Sequence, residues 1–215
     1  MDLSTSLSSS PPPPEIEAYA LEPLARFYRR HSSFYDWTRP FILYGRHRLL
    51  VSLALRPRMT VIDVGCGTGW SLPWLAAAGA SVIGVEPSPH MRARAQARAA
   101  RLGMSGRAAF DHRPYGSHAE YAGRADVVLF SYSLSMIPPH AEVLARARAD
   151  LRAGGTVAVV DFLTAMAPEP AAILRRSHVH LGTERLDALR RVFPEHRVDV
   201  RNAVLWRYFR FLGRA

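Results

Sequence analysis

Apolar and polar positions alternate in two patterns along most of the chain, starting at about residue 59. Short apolar runs that are typical of buried strands occur at residues 59–64, 81–86, 106–111, 125–130 and 154–161. Between these runs, stretches with helical periodicity predict helices at residues 69–79, 88–102 and 139–152. Strands that alternate with helices build a parallel sheet covered by helices. We therefore expect an α/β fold with a doubly wound sheet.

The last sixty residues depart from this alternation. They contain a helical pattern near residues 183–193, followed by the segments EHRVDV (195–200) and AVLWRYFRFL (203–212). In the first of these, Val198 and Val200 alternate with polar residues, which is typical of a half-buried strand. The two segments predict an antiparallel hairpin that closes a mostly parallel sheet.

The chain before the sheet divides into two parts. Residues 1–14 are mainly serine and proline, and the four prolines at 11–14 favour an extended tail outside the fold. Residues 15–55 carry short helical patterns that are rich in aromatic side chains. The predicted organisation is therefore a tail (1–14), an aromatic helical segment (15–55) and an α/β domain (56–215).

The net charge of +10 would by itself favour an anionic partner such as nucleic acid or a membrane surface. However, all 28 basic residues are arginines, which indicates GC-rich codon usage more than a binding site. The spacing of Arg92, Arg94, Arg98 and Arg101 is that of a solvated helix face. We expect no nucleic-acid partner, and a peripheral membrane contact stays open.

Cys66 is the single cysteine, so the chain can form no intramolecular disulfide. No apolar run reaches the roughly 18 to 20 residues of a membrane span, and the first residues lack the pattern of a signal peptide. The expected location is cytoplasmic.

The segment after the first predicted strand has glycine at every second position, at Gly65, Gly67 and Gly69, and is preceded by Asp63. Glycine permits positive φ and close approach of the backbone to a ligand. A dinucleotide fingerprint would need a further glycine where the chain has Trp70, and a phosphate loop would need a lysine. Both phosphate-binding interpretations are therefore excluded.

The pattern D-x-G-x-G-x-G after a strand resembles the class I S-adenosylmethionine (SAM) methyltransferases, which have a Rossmann-like sheet. The resemblance implies that the loop 65–69, including Cys66 and Thr68, holds the amino-acid part of SAM. Asp63 would orient either the loop or the ammonium group of SAM. Glu86 ends the second strand, where an acid accepts hydrogen bonds from ribose hydroxyls. The residues that follow, Pro87 and Met91, would lie near the adenine.

Two later strand ends extend this resemblance. Asp111 ends the third strand, where the fold often has an acid against the adenine amino group. The fourth strand ends in Phe130, Ser131, Tyr132 and Ser133. Because ligands of open α/β sheets bind outside the carboxyl ends of the strands, these residues are expected beside the reactive part of SAM.

A narrower resemblance rests on three segments: FYDWTRPFILYGRHRLL (34–50), FSYSLSMIPP (130–139) and VVDF (159–162). They resemble the N-methyltransferases of betaine-lipid synthesis, which methylate the amine of a diacylglyceryl-homoserine head group. SHVHLG (177–182) is similar to a further family segment. The resemblance implies a helical lid over the SAM site, with Tyr35, Arg39, Tyr44 and Arg46.

The sequence also resembles the azetidine-2-carboxylate synthases, in which the amino group of SAM attacks its own γ-carbon and methylthioadenosine leaves. Both reactions are displacements by a neutral amine at a carbon beside a sulfonium, and neither needs a metal. Tyr35 and Tyr44 either pack or contact the sulfonium through a cation–π interaction. Hydrogen bonds to the amine are expected from Ser131, Ser133 and Ser177, and His178 or His180 would tune its protonation.

About 200 residues remain without the tail, and the sheet, its helices and the aromatic segment use nearly all of them. The acceptor is therefore a small amine, an amino-acid head group or SAM itself. Two other classes stay open, a SAM-fold protein without catalysis and a protein that binds anionic surfaces. The sequence makes no prediction of the oligomeric state.

Overall fold

The computed structural model describes residues 43–117, 121–176 and 179–215. These residues divide into two compact units, a first unit with residues 55–117 and a second unit with residues 43–54, 121–176 and 179–215. The tail (1–14) and most of the aromatic segment (15–55) lie outside the described residues, so the predictions for them stay predictions.

The described residues contain helices and seven strands of a mixed sheet, which confirms the predicted α/β class. The helices are α1 (Arg46–Ser52), α2 (Leu72–Ala77), α3 (Pro89–Arg101), α4 (His140–Asp150), α5 (Pro168–Arg176) and α6 (Glu184–Val192). The strands are β1 (Thr60–Val64), β2 (Ser81–Val85), β3 (Ala108–Asp111), β4 (Ala125–Ser131), β5 (Leu151–Ala165), β6 (His196–Asn202) and β7 (Trp206–Arg214). None of the helices within these residues is long and apolar enough to span a bilayer.

In the first unit, three parallel strands have the order β3-β2-β1. Ile83 in β2 pairs with Ile62 in β1 and with Ala109 in β3. The strand interiors are almost wholly apolar, as expected for parallel strands that are covered on both faces. The following helix α3 begins where the Ser88 hydroxyl accepts a hydrogen bond from the Met91 amide.

The second unit contains the strand order β4-β5-β7-β6. Strand β5 is parallel to β4 on one side and antiparallel to β7 on the other. Strand β6 pairs only with β7 among the described strands, with Val198 opposite Phe211. The predicted C-terminal antiparallel hairpin is therefore confirmed, and β7 is its inner strand.

Strand β5 differs from the prediction at both ends. The sequence predicts a helix to residue 152 and a strand at 154–161, whereas α4 ends at Asp150 and β5 runs from Leu151 to Ala165. Its register against β4 shifts between the pairs Ala125–Leu151 and Val127–Thr156, and Gly154 has φ +74° within this bulge. The strand continues beyond residue 161 because residues 162–165 pair with β7.

Helix α5 was missed by the sequence reasoning because its segment, PEPAAILRR, contains two prolines. Proline is nevertheless compatible with the first turn of a helix, where its missing N–H has no helical partner. Both prolines, Pro168 and Pro170, lie in that first turn.

Candidate active site

The glycine loop of the first unit connects β1 to α2. Gly65, Gly67 and Gly69 have φ values of 66°, 57° and 75°, a left-handed conformation that side chains rarely adopt. The amides of Gly65 and Cys66 both donate to the carbonyl of Val85, at 2.8 and 3.2 Å. The loop is therefore held against the end of β2, as a ligand-binding loop at the carboxyl ends of parallel strands requires.

Glu86 lies directly beyond β2 and is bound at both carboxylate oxygens. Its Oε2 accepts the amide of Gly67 at 3.0 Å, and its Oε1 accepts the amide of Ser88 at 2.9 Å. The guanidinium of Arg92 donates to the Glu86 carbonyl at 2.8 Å. These contacts orient the carboxylate between the glycine loop and the first turn of α3. A carboxylate oxygen can accept more than one hydrogen bond, so the group fits a ribose diol.

Asp63 is buried near the end of β1 and accepts a hydrogen bond from the hydroxyl of Ser71. This contact joins the strand to the residue just before α2, on the far side of the glycine loop. It corresponds to the loop-orienting role, one of the two roles predicted for Asp63. Ser71 was not predicted, because its hydroxyl binds a carboxylate of the strand and caps no helix amide.

Asp111 ends β3 and is nearly inaccessible to solvent. Its carboxylate accepts hydrogen bonds from Nε of Arg113 at 3.1 Å, from the other guanidinium nitrogen at 2.9 Å, and from the Arg113 amide at 2.9 Å. An adenine amino group would share the carboxylate with this arginine, which the sequence did not single out. The predicted contact with adenine stays a prediction.

The remaining candidates of the first unit are Cys66, Thr68, Met91 and the half-buried Pro87. The first three are buried, and Met91 lies on the inner face of α3. Burial, together with the carboxylates of Asp63 and Glu86, raises the pKa of the Cys66 thiol well above its usual value. The thiol is therefore neutral at ordinary pH, as expected for a loop residue that is not a nucleophile.

In the second unit, Arg46 and Ser131 contact each other. The Nε of Arg46, in the first turn of α1, donates to the Ser131 hydroxyl at 2.8 Å, at the end of β4. Gly45, which precedes Arg46, has φ +82°, and a Cβ there would lie 2.5 Å from the ring of Tyr208. The close approach to that ring therefore requires glycine. The structure thus brings together two residues that the sequence assigned to one site.

Tyr132 directly follows β4 and has φ +59°, which is uncommon for a residue with a side chain. Its hydroxyl donates to the carbonyl of Tyr44 at 2.8 Å, and its ring packs edge-on against Phe162 with centroids 4.6 Å apart. Burial and the nearby Asp161 raise the pKa of Tyr132, so the hydroxyl stays protonated. The observed contact gives Tyr132 the role of positioning Tyr44.

Two buried charged residues, Asp161 and Arg185, were not predicted. Asp161, wholly buried in β5, accepts the amide of Ser135 at 2.7 Å and that of Phe162 at 2.8 Å. Arg185 of α6 is also buried and donates to the Phe162 carbonyl at 2.7 Å. Burial raises the pKa of Asp161, and the guanidinium of Arg185 opposes that rise. Asp161 thus holds the turn after β4 (134–136) against β5, while Arg185 binds the β5 backbone.

Two histidines flank this turn. The rings of His140 and His180 are 6.3 Å apart, and the His180 amide donates to the Ser135 carbonyl at 3.1 Å. Burial lowers the pKa of His140 to about 4, with further lowering by Arg185 and His180. Within residues 43–117, 121–176 and 179–215, no group of three or more His, Cys, Asp or Glu side chains is placed to hold a metal ion.

The remaining candidates are two buried residues of the second unit and four residues outside the described part of the chain. Ser133 is buried beside Tyr132, and Phe130 is buried within β4. The candidates that lie outside the described residues are Tyr35, Arg39, Ser177 and His178.

Comparisons with known proteins agree with this fold. A family model described as a methyltransferase domain matches residues 24–211. Trans-aconitate 2-methyltransferase of Deinococcus radiodurans is 34% identical over 106 residues, which are 48% of this chain and 38% of that protein. The chain thus matches less than half the length of this curated relative.

Two solved structures are similar in fold. Phosphoethanolamine N-methyltransferase 2 of Haemonchus contortus, bound to phosphomonomethylethanolamine and S-adenosylhomocysteine, has a TM-score of 0.75 at 13% identity and covers 89% of this chain and 60% of that chain. The [4+2]-cyclase SpnF has a TM-score of 0.70 at 15% identity and covers 96% of this chain and 98% of that chain. At such low identity, these likenesses establish the fold alone.

Proposed function

We propose that this chain, which belongs to the methyltransferase-domain family, is a SAM-dependent N-methyltransferase of a small amine or a homoserine-type head group. The observation that carries the proposal is the fixed carboxylate of Glu86. It is oriented by the amides of Gly67 and Ser88, and an acid at this strand end suits the ribose hydroxyls of SAM. Its position about twenty residues after the glycine loop is that expected from the sequence.

The first unit supplies the residues that would hold SAM. The backbone of the glycine loop (65–69) fits the amino-acid part, Glu86 fits the ribose, and Asp63 orients the loop through Ser71. When bound, SAM supplies a methyl carbon that is activated by the neighbouring sulfonium. The side chains need only bind, orient and exclude water, since the leaving group is already present.

The second unit supplies groups suited to an amine. The Ser131 hydroxyl is fixed by Arg46, and a hydroxyl has two acceptor lone pairs, so it can also accept an amine N–H. The nucleophile must be the neutral amine, because an ammonium group has no lone pair. We propose that the hydroxyls of Ser131 and Ser133 direct that lone pair and that the ring of Tyr44 contacts the sulfonium.

The acceptor is proposed to be small. One helix with short loops joins β1 to β2, and a 3-10 turn (134–136) followed by one helix joins β4 to β5. No further domain is inserted in the described residues. The Haemonchus contortus enzyme was solved with phosphomonomethylethanolamine, an amine of this size. This supports an acceptor whose amine, or whose head group alone, reaches Ser131.

A second candidate reaction is the intramolecular cyclisation of SAM to azetidine-2-carboxylate, with release of methylthioadenosine. The nitrogen lone pair would form a bond to the γ-carbon while the bond from that carbon to sulfur breaks, and the amine would lose one proton. The lack of an inserted acceptor domain in the described residues also favours this reaction, which needs no second substrate.

Product analysis distinguishes the two reactions. The purified protein is incubated with SAM alone and then with SAM plus ethanolamine, phosphoethanolamine or homoserine, and the nucleosides are identified by mass spectrometry. S-adenosylhomocysteine that forms only with an added amine supports N-methylation. Methylthioadenosine from SAM alone, above a control without protein, supports cyclisation. No SAM binding in calorimetry would overturn both proposals.

A further inference from the structure

The described part of the first unit, residues 55–117, has surface charge of one sign. These residues contain three carboxylates, and Asp63, Glu86 and Asp111 are only 2%, 8% and 3% exposed. The same stretch contains eight arginines: Arg56, Arg58, Arg92, Arg94, Arg98, Arg101, Arg107 and Arg113. The accessible formal charge of this part of the chain is therefore entirely basic.

Three of these arginines lie along one side of α3. Arg94, Arg98 and Arg101 are spaced four and three residues apart, so they share one face of the helix. The adjoining face, with Met91, Ala95 and Ala99, is buried. Arg98 also donates to the carbonyl of Gly69 at 3.2 Å, which fixes its side chain beside the start of α2.

A groove lies where this face meets the start of α2. Its volume is about 360 Å³, and it is lined by Trp70, Pro73, Trp74, Arg98, Arg101 and Leu102. The two indole rings stack with centroids 4.4 Å apart. Indole rings, aliphatic carbons and two guanidinium groups thus form the whole lining, and it contains no carboxylate or amide side chain.

We propose that this groove, which we call the tryptophan–arginine groove, docks the first unit on an anionic phospholipid surface. Tryptophan favours the interface of a bilayer, where its ring contacts acyl carbons and its N–H stays hydrated. Guanidinium groups bind phosphate through paired donors, and the arginine stems add apolar contact. The indole rings would therefore contact the upper acyl carbons, and the guanidinium groups would bind the lipid phosphates.

RNA fits the lining less well. Stacking of bases requires open aromatic faces, and each indole here uses one face against the other. Arginine can read the edge of guanine, but the lining has no amide, hydroxyl or carboxylate group to read the other bases. The proposal does not depend on which reaction the protein catalyses.

Vesicle co-sedimentation tests the proposal with the full-length protein. Vesicles of phosphatidylcholine with one quarter phosphatidylglycerol are expected to bind the protein more tightly than pure phosphatidylcholine, and added salt should weaken binding. The double variant Arg98→Gln/Arg101→Gln should bind about 25-fold more weakly, at roughly fivefold per arginine near an anionic surface. Arg190→Gln/Arg191→Gln, which removes two exposed arginines from α6, is the charge-matched control and should lose less than twofold.

Two further measurements make the test specific. Lipids with brominated acyl chains should quench the tryptophan emission, and Trp70→Phe/Trp74→Phe should remove most of that quenching. Arg101 is exposed at the end of α3, so Arg101→Gln alone should keep the fold and still lose about fivefold.

Three outcomes would overturn the proposal. They are equal affinity for neutral and anionic vesicles, an equal loss in the α6 control, and binding of a 20-nucleotide poly(U) that displaces vesicles and is weakened by the same groove variants. The second outcome would indicate attraction by total charge, and the third would assign the groove to nucleic acid.

Discussion

Arg46 and Ser131 are 85 residues apart in the sequence, and the Arg46 Nε lies 2.8 Å from the Ser131 hydroxyl. A second hydrogen bond joins the same two segments: the Tyr132 hydroxyl donates to the Tyr44 carbonyl, also at 2.8 Å. Two adjacent residues at the end of β4 thus hold the segment just before α1. The position of that segment therefore depends on side chains that the proposed reaction also uses.

Removal of this contact should affect turnover more than folding. We expect Arg46→Lys to lower kcat/KM about tenfold, because a hydrogen bond from a charged donor contributes about 1.5 kcal/mol or more. Ser131→Ala also removes the proposed contact with the amine, so it should lower kcat/KM further. The double variant should be no worse than the poorer single variant by more than twofold, since one contact is lost in all three. Turnover of the identified substrate and thermal unfolding are the measurements. Additive losses would contradict the assignment of a shared contact.

Glu86→Gln tests the ribose contact. The amide offers one acceptor oxygen in place of two, so it cannot accept from both Gly67 and Ser88 while also binding a hydroxyl. We expect the Kd for SAM to rise by about tenfold or more in calorimetry. Asp187→Asn removes a negative charge from the half-exposed part of α6 and serves as the control, with unchanged affinity. Unchanged affinity in Glu86→Gln itself would count against the assigned site.

Gly69→Ala and Gly103→Ala form a matched pair for the glycine loop. Both glycines have positive φ, of 75° and 66°, so each alanine adds roughly 1 kcal/mol of backbone strain. At Gly69 the new Cβ would also clash with Leu72 Cδ1, whereas nothing lies within 4 Å at Gly103. We expect chemical denaturation to show a loss of about 2 to 4 kcal/mol for Gly69→Ala and about 1 kcal/mol for Gly103→Ala. Equal losses would show that strain alone matters.

His140 should make the folded state less stable in acid. Its pKa of about 4 lies below the unfolded value of about 6.5, so the unfolded chain binds a proton more readily between these two pH values. Stability therefore falls as pH drops from 6.5 towards 4, by about 1 to 2 kcal/mol at pH 5 for this partly buried group. Denaturant titrations at pH 5 and pH 8 measure the effect. In His140→Gln the difference between the two pH values should shrink by that amount.

Cys66 gives a direct measure of access to the glycine loop. Because burial and two carboxylates raise the pKa of its thiol, alkylation by iodoacetamide at pH 8 should be at least tenfold slower in the native protein than in the denatured chain. Mass spectrometry counts the modified fraction over time. Rapid native labelling would mean that the loop opens readily without ligand.

Strand and helix positions followed from the sequence because the apolar core imposes regular periods. The apolar run predicted at 125–130 is β4, which ends at Ser131. The same reasoning failed at the bulge of β5, where the segment before Thr156 contains two glycines that resemble a turn. On either side of the bulge, Leu151 and Thr156 pair with β4. Pairing between segments that are distant in the chain leaves no pattern in the local sequence.

Some residues of the candidate site could likewise be predicted from the sequence, and others could not. Glu86 and the loop could be predicted because strand ends and glycine spacing carry their signal. The contact of Asp111 with Arg113 and that of Arg185 with the Phe162 carbonyl could not, because an arginine on a helix or in a loop normally indicates a solvated position. Only the folded arrangement shows that these arginines are held by carboxylates or carbonyls.

The burial of both Asp161 and Arg185 has a consequence for protein engineering. Two charges removed from water are seldom the most stable solution, and apolar side chains of equal volume often increase stability at such positions. A thermostabilised version made by Asp161→Leu/Arg185→Met would nevertheless leave the Ser135 amide without its acceptor, and the turn that follows Ser131 and Ser133 would loosen. Stability and precision of the active site therefore compete at these two residues, so optimisation of the core should leave them intact.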